Sequence, residues 1–326
     1  MRLIDGDAID AALGFPGLVD VLATAFRRGA IAPPRHHHQV RLDGRPEATL
    51  LLMPAWTASA PGAATAGRYM GVKSVTVFPD NGARGQPAVA GAYLLMSADT
   101  GEVLAVFDAT RLTVWRTAAA SALAARHLAR PDASRMAMIG AGALAPFLIR
   151  AHASVRPIRE VAVWNRTPAA AERVAAALAS DGLAVRVVAD IEAAVRWADI
   201  VSTATLATEP LVRGDWLRPG THLDCVGAFN ASMRETDDTA VARARLFVDT
   251  RAGAFGEAGD ILLAIASGAI GPGHVIGDLA DLACGGIAGR RTPDEITMFK
   301  SVGASIEDLA AAIAVYERAA ARPDDR

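Results

Sequence analysis

A turn of small residues, placed between an apolar run and a helical pattern, constrains the fold of this chain more than any other feature. The apolar run at 135–139 is followed by helical periodicity over 143–154. The first glycine of the turn permits a tight bend, the second lets a pyrophosphate approach the backbone, and the last alanine lets helix and strand pack closely. Unpaired N–H groups at a helix N-terminus also favour phosphate. We therefore predict a dinucleotide site in a Rossmann half-domain at Gly140, Ala141, Gly142, Ala143, Leu144 and Ala145.

The pattern of hydrophobic residues differs on the two sides of Pro131. After it, short apolar runs alternate with helical segments as far as residue 226, which predicts βαβ units and a parallel sheet. Before it, one helix at 7–28 precedes strand-like runs separated by turn signals, which predicts an antiparallel sheet carrying helices.

The end of the chain follows neither pattern. Helices are expected to dominate beyond residue 249, and the last one, at 305–320, has no strand partner in sequence and is expected to pack on the first domain. We predict an α/β fold with two domains: a Rossmann-type doubly wound parallel sheet at 118–303, and an α+β domain formed by residues 1–117 with 304–326.

Charge and apolar length restrict the kinds of partner. The 33 basic side chains face 35 acidic ones, so no excess positive charge is available for nucleic acid or an anionic membrane. The N-terminus lacks the layout of a signal peptide, and the apolar stretch at 261–270 is too short and glycine-broken to cross a bilayer. We expect no nucleic-acid or membrane partner and a cytoplasmic location. Cys225 and Cys284 are expected to be buried free thiols.

The residues after the second strand of the predicted βαβ unit bear on the choice of cofactor. An acidic residue there would bond the ribose 2′-hydroxyl and repel a 2′-phosphate. This chain has Asn165, Arg166 and Thr167 instead, and an arginine can bind phosphate through two hydrogen bonds. We predict NADP(H) as the preferred cofactor, with NAD(H) possible. In the alternative, Arg166 is a surface residue before a helix capped by Thr167, and both can hold together.

Short segments along nearly the whole chain resemble the ornithine cyclodeaminase and mu-crystallin family, and the mu-crystallin branch is the most similar. The segments are Pro34-Arg35, Leu52-Met53-Pro54, Lys73 with Pro79 and Asn81, Arg116-Thr117-Ala118-Ala119, the turn at 140–145, Trp164-Asn165-Arg166-Thr167, Thr205-Leu206-Ala207-Thr208-Glu209-Pro210, Arg234-Glu235 and Phe299-Lys300-Ser301-Val302-Gly303. The resemblance implies a homodimer whose first domains associate through their sheets, which makes the α+β domain the substrate-binding and dimerisation domain.

The resemblance also implies roles for individual residues. Arg35, Lys73 and Arg116 would surround the carboxylate and nitrogen of a small imino acid or amino acid, and three cations suit an anionic substrate. A desolvated Lys73 beside other cations would have a lowered pKa suited to proton transfer, so we predict it to be catalytic. Without the resemblance, Lys73 would be a solvated strand-edge residue and Arg116 a surface charge. Further cofactor contacts are expected at Thr117, Thr205, Leu206, Ala207, Val226, Gly227, Lys300 and Ser301.

Two departures from the cyclodeaminases bear on the reaction. Those enzymes have Gly-Gly-Asp after a late strand, where the Asp works on the substrate amine, and a Glu before Leu-Met-Pro that recognises the side-chain amine of ornithine. Phe229 and Leu51 stand at these places and can only pack. Hydride transfer to a C=N carbon beside a carboxylate remains possible. We predict reduction of a cyclic ketimine such as Δ1-pyrroline-2-carboxylate or Δ1-piperideine-2-carboxylate, with Phe229 lining the substrate site.

Three other functions stay open. One is an ornithine cyclodeaminase that converts L-ornithine to L-proline and ammonia. Another is an amino-acid dehydrogenase like alanine dehydrogenase, which would need room for ammonia and usually the acid that Phe229 replaces. The third is a non-catalytic NADP-dependent binding protein, against which Lys73 and Arg116 argue.

Some polar residues near these segments have open roles. His36, His37 and His38 would point to alternate faces of an extended segment, so no metal site is predicted, although His38 could line the pocket near Arg35. Asp108 either orients a basic residue or ends a strand. Glu257 with Gly259-Asp260 is expected to cap a helix.

Overall fold

Consecutive strands make up most of the N-terminal part of the chain, and strands and helices alternate after it. The computed structural model describes residues 1–58 and 68–321. The end of the predicted first domain, 322–326, lies outside the described residues. In the N-terminal part the elements are β1 (Arg2–Ile4), α1 (Gly6–Ala12), α2 (Phe15–Arg28), β2 (Ala30–Ile31), β3 (His36–Val40), β4 (Ala48–Thr57), β5 (Tyr69–Val77), β6 (Val89–Ser97), β7 (Val103–Asp108) and α3 (Ala109–Leu128).

The remaining elements begin after Pro131. They are β8 (Arg135–Ile139), α4 (Ala145–Val155), β9 (Glu160–Trp164), α5 (Pro168–Ala177), β10 (Ala184–Val187), α6 (Ile191–Trp197), β11 (Ile200–Thr203), β12 (His222–Cys225), α7 (Asp238–Arg243), β13 (Arg245–Val248), α8 (Arg251–Glu257), α9 (Gly259–Ala266), β14 (Val275–Asp278), α10 (Leu279–Cys284), β15 (Thr297–Lys300) and α11 (Ser305–Ala321). The chain divides into two compact units, Met1–Arg116 with Ala304–Arg326, and Thr117–Gly303.

The first unit is built on a seven-stranded sheet in the order β1-β7-β6-β5-β4-β2, with β3 also paired to β4. Among the strands that the structure describes in this unit, all pairs are antiparallel except β1 with β7, a parallel pair that the sequence pattern does not predict. One face of the sheet packs against α11, which also packs against α2. Alternation along β5 points Gly71, Lys73 and Val75 into this buried layer.

The prediction of a single helix at 7–28 is wrong. Asp5 caps α1, which ends at Ala12, and α2 starts again at Phe15 after the extended residue Gly14. Pro16 lies in the first turn of α2, where its missing N–H costs no helical hydrogen bond. The two helices are bent by 87° relative to each other. No single helix among the described residues is long and apolar enough to cross a membrane.

The second unit contains an eight-stranded parallel sheet in the order β10-β9-β8-β11-β12-β15-β13-β14. Its first six strands follow the Rossmann order, with the topological switch point between β8 and β11. The prediction of an α/β protein with a doubly wound parallel sheet is confirmed. Helices dominate the chain beyond residue 249, as predicted. The strands β14 and β15 were not predicted, because four residues are too few to show a period.

Candidate functional site

The turn after β8 has the geometry that phosphate binding requires. Gly140 has a φ of +107°, and a Cβ there would lie 2.6 Å from the carbonyl oxygen of Ala204. Open space surrounds the Cα of Gly142, so a ligand can approach the backbone. The helix α4 begins at Ala145, two residues later than predicted, and no described side chain caps it. Its N-terminal N–H groups therefore remain suited to a phosphate.

Asn165 connects this turn to the end of β9. Its Oδ1 accepts a hydrogen bond from the N–H of Ala141 at 3.3 Å, and its Nδ2 donates to the carbonyl oxygen of Thr167 at 3.0 Å. Arg166 and Thr167 are exposed beside it. Thr167 occupies the N-cap position of α5, but its side chain makes no capping hydrogen bond, so the alternative role as a helix cap is wrong. These polar groups lie where the adenosine ribose of a dinucleotide is read.

The segments after β11 and β12 form the next part of the same carboxyl edge. A Cβ at Gly227 would lie 2.3 Å from the carbonyl oxygen of Thr205, so only glycine fits there. The next residue, Ala228, is fully buried with a φ of +53°, a left-handed conformation that is unfavourable for alanine. Phe229 is 39% exposed. Leu206 is exposed, and Val226 is buried.

A buried ionic network lies beneath these segments, and the sequence reasoning missed two of its members. The Lys300 Nζ lies 3.1 Å from the Asp260 Oδ2 and donates to the carbonyl oxygen of Gly227. The Glu235 carboxylate accepts hydrogen bonds from the Thr205 N–H and hydroxyl and from the Thr203 hydroxyl. We call Lys300, Asp260 and Glu235 the Lys300 network.

The available signals for Glu235 and Asp260 were weak. Glu235 lay in a segment that carried the family resemblance, and Asp260 was expected to cap a helix. That expectation is wrong, because α9 begins after Ala258 and the Asp260 Oδ1 accepts from the N–H groups of Glu235 and Thr236 instead. Burial raises the pKa of Glu235 to about 7, against the opposing charge of Lys300.

In the first unit, Lys73 on β5 and Arg116 on α3 are buried and come together on two acidic residues of α11. The Lys73 Nζ lies 2.8 Å from the Asp308 Oδ2, and the Arg116 Nε donates to the Asp308 Oδ1 at 3.0 Å. A further guanidinium nitrogen of Arg116 donates to the Glu307 Oε2 at 2.7 Å. We call these four residues the Lys73 cluster. The alternative roles of Lys73 as a solvated residue and of Arg116 as a surface charge are wrong, since their exposed fractions are 3% and 5%.

Asp308 and Glu307 were also missed, and they change the expected charge of this cluster. Two buried acids balance the charges of Lys73 and Arg116, whereas the sequence suggested a group of cations only. Burial and then the charge of Arg116 lower the pKa of Lys73 to about 8, with a smaller contribution from Arg35 and an opposing one from Asp308. An ammonium with this pKa is charged at neutral pH and still able to release its proton.

Tyr93 lies directly across from Lys73 in the sheet and completes the buried layer. Its hydroxyl has no hydrogen-bond partner among the described residues, and a Cβ at Gly71 would lie 2.3 Å from it. Burial and the charge of Asp308 raise the pKa of Tyr93 well above its usual value. Arg35 is half-buried.

The remaining predicted residues have simpler environments. His36, His37 and His38 are exposed on β3, and no metal-binding group of His, Cys, Asp and Glu occurs among the described residues. The Asp108 Oδ1 accepts from the backbone N–H groups of Thr110 and Arg111, so it ends a strand. Both cysteines are free, but Cys284 is exposed rather than buried. Thr117 and Ser301 are buried.

Comparison with known proteins identifies the family. The model of the ornithine cyclodeaminase/mu-crystallin family matches residues 9–322. The chain belongs to this family. A Δ1-pyrroline-2-carboxylate reductase of Paracoccus denitrificans is 43% identical over 286 residues, which is 87% of this chain and 88% of that protein. The ketimine reductase mu-crystallin of Rattus norvegicus is 35% identical over 266 residues, 82% and 79% of the two chains.

A solved structure extends the similarity to three dimensions. The Thermococcus litoralis Δ1-pyrroline-2-carboxylate reductase in complex with NADH and L-proline superposes with a TM-score of 0.91 at 32% identity, covering 98% of each chain. The family membership suggested by the short sequence segments is confirmed.

Proposed function

We propose that this protein is an NAD(P)H-dependent reductase of a small cyclic ketimine carboxylate, of the Δ1-pyrroline-2-carboxylate or Δ1-piperideine-2-carboxylate type. The observation that carries the proposal is a buried ammonium, Lys73, which shares the carboxylate of Asp308 with the guanidinium of Arg116. Relatives that carry the names of such reductases support the choice of substrate class.

The reaction converts C=N to CH–NH by adding a hydride to carbon and a proton to nitrogen. Bound NAD(P)H supplies the hydride. Lys73 supplies the proton, because its ammonium is desolvated and its pKa, lowered to about 8, lies close to neutral pH. It becomes a neutral amine at this step and recovers its proton from solvent afterwards. Lys73 is thus the proposed catalytic residue.

Arg116 and Arg35 bind the substrate carboxylate in this proposal. A guanidinium has five N–H donors, and the bonds from Arg116 to Asp308 and Glu307 use two of them. Those two bonds also fix the plane of the guanidinium, which reduces the entropy lost when a carboxylate binds. Phe229 contributes apolar surface that suits a ring carrying no second charge.

Cyclodeamination of ornithine is disfavoured by Phe229 and Leu51. That reaction needs an acid to work on the substrate amine and a carboxylate to pair with its side-chain ammonium, and neither residue can do this. Leu51 lies within β4, opposite Val75 on β5 and His37 on β3.

A paired assay tests the proposal. Purified protein is given preformed Δ1-pyrroline-2-carboxylate with NADPH, and in a separate sample L-ornithine with NAD+ or NADP+. The oxidation state of the nucleotide and the release of ammonia are measured in both samples. We expect rapid oxidation of NADPH with the imine and no ammonia from ornithine. Release of ammonia from ornithine without imine reduction would overturn the assignment. A third sample contains a 2-oxo acid with ammonium and NADPH, and turnover only in this sample would favour an amino-acid dehydrogenase. Binding of NADPH without turnover in any sample would favour a carrier.

We propose further that NADP(H) is preferred over NAD(H). This preference is supported by the three residues that follow β9, which are Asn165, Arg166 and Thr167. None of the three is acidic, so none would repel a 2′-phosphate. Substitution Arg166→Ala should lower kcat/KM for NADPH by about 10- to 100-fold, the value of one charge-assisted phosphate contact, and leave NADH nearly unchanged. Arg173→Ala, an exposed arginine on α5, is the matched control.

We also propose that the protein is a homodimer formed through the outer face of the first sheet. A row of apolar residues crosses this face in register, from the 80% exposed Leu3 to the edge of β4. Leu3 is exposed and the other members of the row are half-buried. Contiguous apolar surface that is open to solvent marks association sites, and a closed twofold dimer would cover this row on both copies. The row consists of Leu3, Val106, Leu94, Val72 and Pro54.

Light scattering coupled to size exclusion tests the dimer. Leu94→Asp should give a monomer, and Ala90→Asp at the exposed end of the same strand should not. A monomeric wild type would contradict the proposal. The free thiols of Cys225 and Cys284 suit a reducing compartment, so we propose that the protein works in the cytoplasm.

A further inference from the structure

Lysine is scarce in this chain. Of its 33 basic residues only Lys73 and Lys300 are lysines, and every other one is an arginine. Both lysines are buried, although lysine is among the residues least often buried. Lys73 is the proton donor proposed above. Lys300 takes no part in that step, and a buried ammonium persists only where it is paired.

Lys300 is fully buried, and its ammonium connects the end of β15 to two segments that are distant in sequence. It is the last residue of β15, and its Nζ contacts the Asp260 carboxylate on α9 and the carbonyl oxygen of Gly227 after β12. Asp260 in turn accepts from the N–H groups of Glu235 and Thr236. The ammonium is a compact charge with three donors, whereas a guanidinium is a planar fork. This difference explains why an arginine-rich chain has a lysine here.

The contact with Gly227 fixes a segment whose backbone is under strain. Gly227 is confined between the carbonyl oxygen of Thr205 and the Glu235 carboxylate, each within 2.5 Å of where a Cβ would be. Ala228 follows with a φ of +53°, and such conformations persist only when their surroundings determine them. Phe229 follows Ala228, so the Lys300 network also constrains the backbone that leads to Phe229.

The order of strands relates this segment to one half of a dinucleotide. The phosphate turn follows β8, and Asn165 follows β9 on one side of it, where the adenosine ribose is read. On the other side of β8, the neighbouring strands of the sheet are β11, then β12, then β15. A dinucleotide that places its pyrophosphate at Gly140–Ala145 and its adenosine over β9 therefore extends its nicotinamide over the carboxyl ends of β11 and β12, where Gly227 lies.

We propose that Lys300, with Asp260 and Glu235, is a positioning residue for the nicotinamide half of the cofactor. It acts through the Gly227 carbonyl and the Gly227–Phe229 segment and leaves the adenosine half unaffected. The inference rests on the dinucleotide site of the proposed function, but not on its substrate.

Calorimetry with a whole and a half ligand tests this role. Dissociation constants for NADPH and for 2′,5′-ADP, which carries only the adenosine half, are measured on wild type and on Lys300→Met. We expect the Kd for NADPH to rise by roughly tenfold or more, because a displaced segment loses aligned contacts, and the Kd for 2′,5′-ADP to change less than about twofold. The control is Arg245→Met, which removes a cation that bonds backbone carbonyls of Gly289 and Ala288 at the opposite edge of the sheet; it should change neither constant.

An equal rise in both constants would show a merely structural lysine and overturn the proposal, as would no change in either. If Lys300→Met does not fold, as judged by circular dichroism, Lys300→Arg and Glu235→Gln are compared in the same way, and equal losses for the two ligands overturn it there. Neither measurement contains an imine. Wild type that binds NADPH but fails to reduce imines would therefore refute the proposed reaction and leave this inference standing.

Discussion

The two lysines of this protein are buried beside aspartates at similar distances, yet their surroundings act on them in opposite directions. Lys73 lies 2.8 Å from Asp308, and burial with the charges of Arg116 and Arg35 lowers its pKa to about 8. Lys300 lies 3.1 Å from Asp260. Despite its burial, the charges of Asp260 and Glu235 raise its pKa. The balance of neighbouring charge, rather than burial alone, decides whether a lysine can release a proton or remains a fixed cation.

This contrast assigns different work to the two units. The Lys73 cluster has two cations beside two acids. Loss of the Lys73 proton would therefore leave an excess of only one negative charge. The Lys300 network has one cation on two acids, and loss of its proton would leave two buried carboxylates uncompensated. We therefore expect changes in the first cluster to alter turnover and its pH dependence, and changes in the second to alter cofactor binding and stability.

The largest effect should follow removal of the proposed proton donor. Lys73→Met should lower kcat/KM for the cyclic imine by about 1000-fold, within the range of general acid catalysis, while the Kd for NADPH stays within about twofold. Steady-state kinetics and calorimetry measure the two quantities. A loss below about tenfold would mean that another group, or water, supplies the proton.

The next effect concerns stability and the carboxyl of Glu235. Its pKa is raised from 4.5 to about 7, so the folded state binds this proton more tightly than the unfolded state. The stabilisation is present below pH 4.5 and is lost as pH rises through 7. By linkage the loss is about 3 kcal/mol in the free energy of unfolding.

Denaturant titrations of wild type and Glu235→Gln at about pH 5 and about pH 8 measure this loss. Wild type should lose more stability than the variant over that interval, because other titrating groups are common to both. Parallel losses would show that Glu235 stays ionised throughout, which would contradict its raised pKa.

A smaller effect is expected from Asp308→Asn. Removing this negative charge favours the neutral form of Lys73, so the pKa of Lys73 falls below about 8 and the high-pH limb of kcat/KM moves to lower pH. At neutral pH we expect a loss of about 10- to 100-fold, the cost of one broken buried ionic contact. Protein labelled with 15N in lysine alone shows the shift directly, since only two Nζ signals exist. An unmoved Lys73 titration would contradict the role of Asp308.

The smallest effect should come from Glu307→Gln. Glu307 contacts Arg116, so the variant should loosen the guanidinium proposed to bind the substrate carboxylate. KM should rise by about three- to tenfold, the net value of one ordinary hydrogen bond, because the amide oxygen of the variant can still accept from Arg116. The pH profile should remain where it is. A shifted high-pH limb would show that Glu307, and not only Asp308, sets the titration of Lys73.

Local features of the sequence predicted the dinucleotide turn and the order of strands around it. Gly140 and Gly142 act through backbone geometry over a few residues, so their spacing in the sequence is sufficient to predict the turn. The break between α1 and α2 also has a local cause, since Gly14 and Pro16 lie at it. The apolar periodicity continues on both sides of these residues, so the pattern predicted a single helix.

The acids of both ionic groups could not be predicted in this way. Asp308 and Arg116 are 192 residues apart, and an Asp beside a Glu near the start of a helix is typical of a solvated first turn. Lys73 and Arg116 themselves were predicted by family resemblance and not by any local pattern. Only the packing of α11 on the first sheet shows that these acids are buried.

The most direct test of the account follows the hydrogen itself. The protein is incubated with Δ1-pyrroline-2-carboxylate and NADPH that carries deuterium at both C4 positions, and the product is examined by mass spectrometry and NMR. We predict proline with one deuterium, located on the carbon that bears the carboxylate. Proline without deuterium would contradict the account. So would the absence of proline if the same protein releases ammonia from L-ornithine in a separate sample.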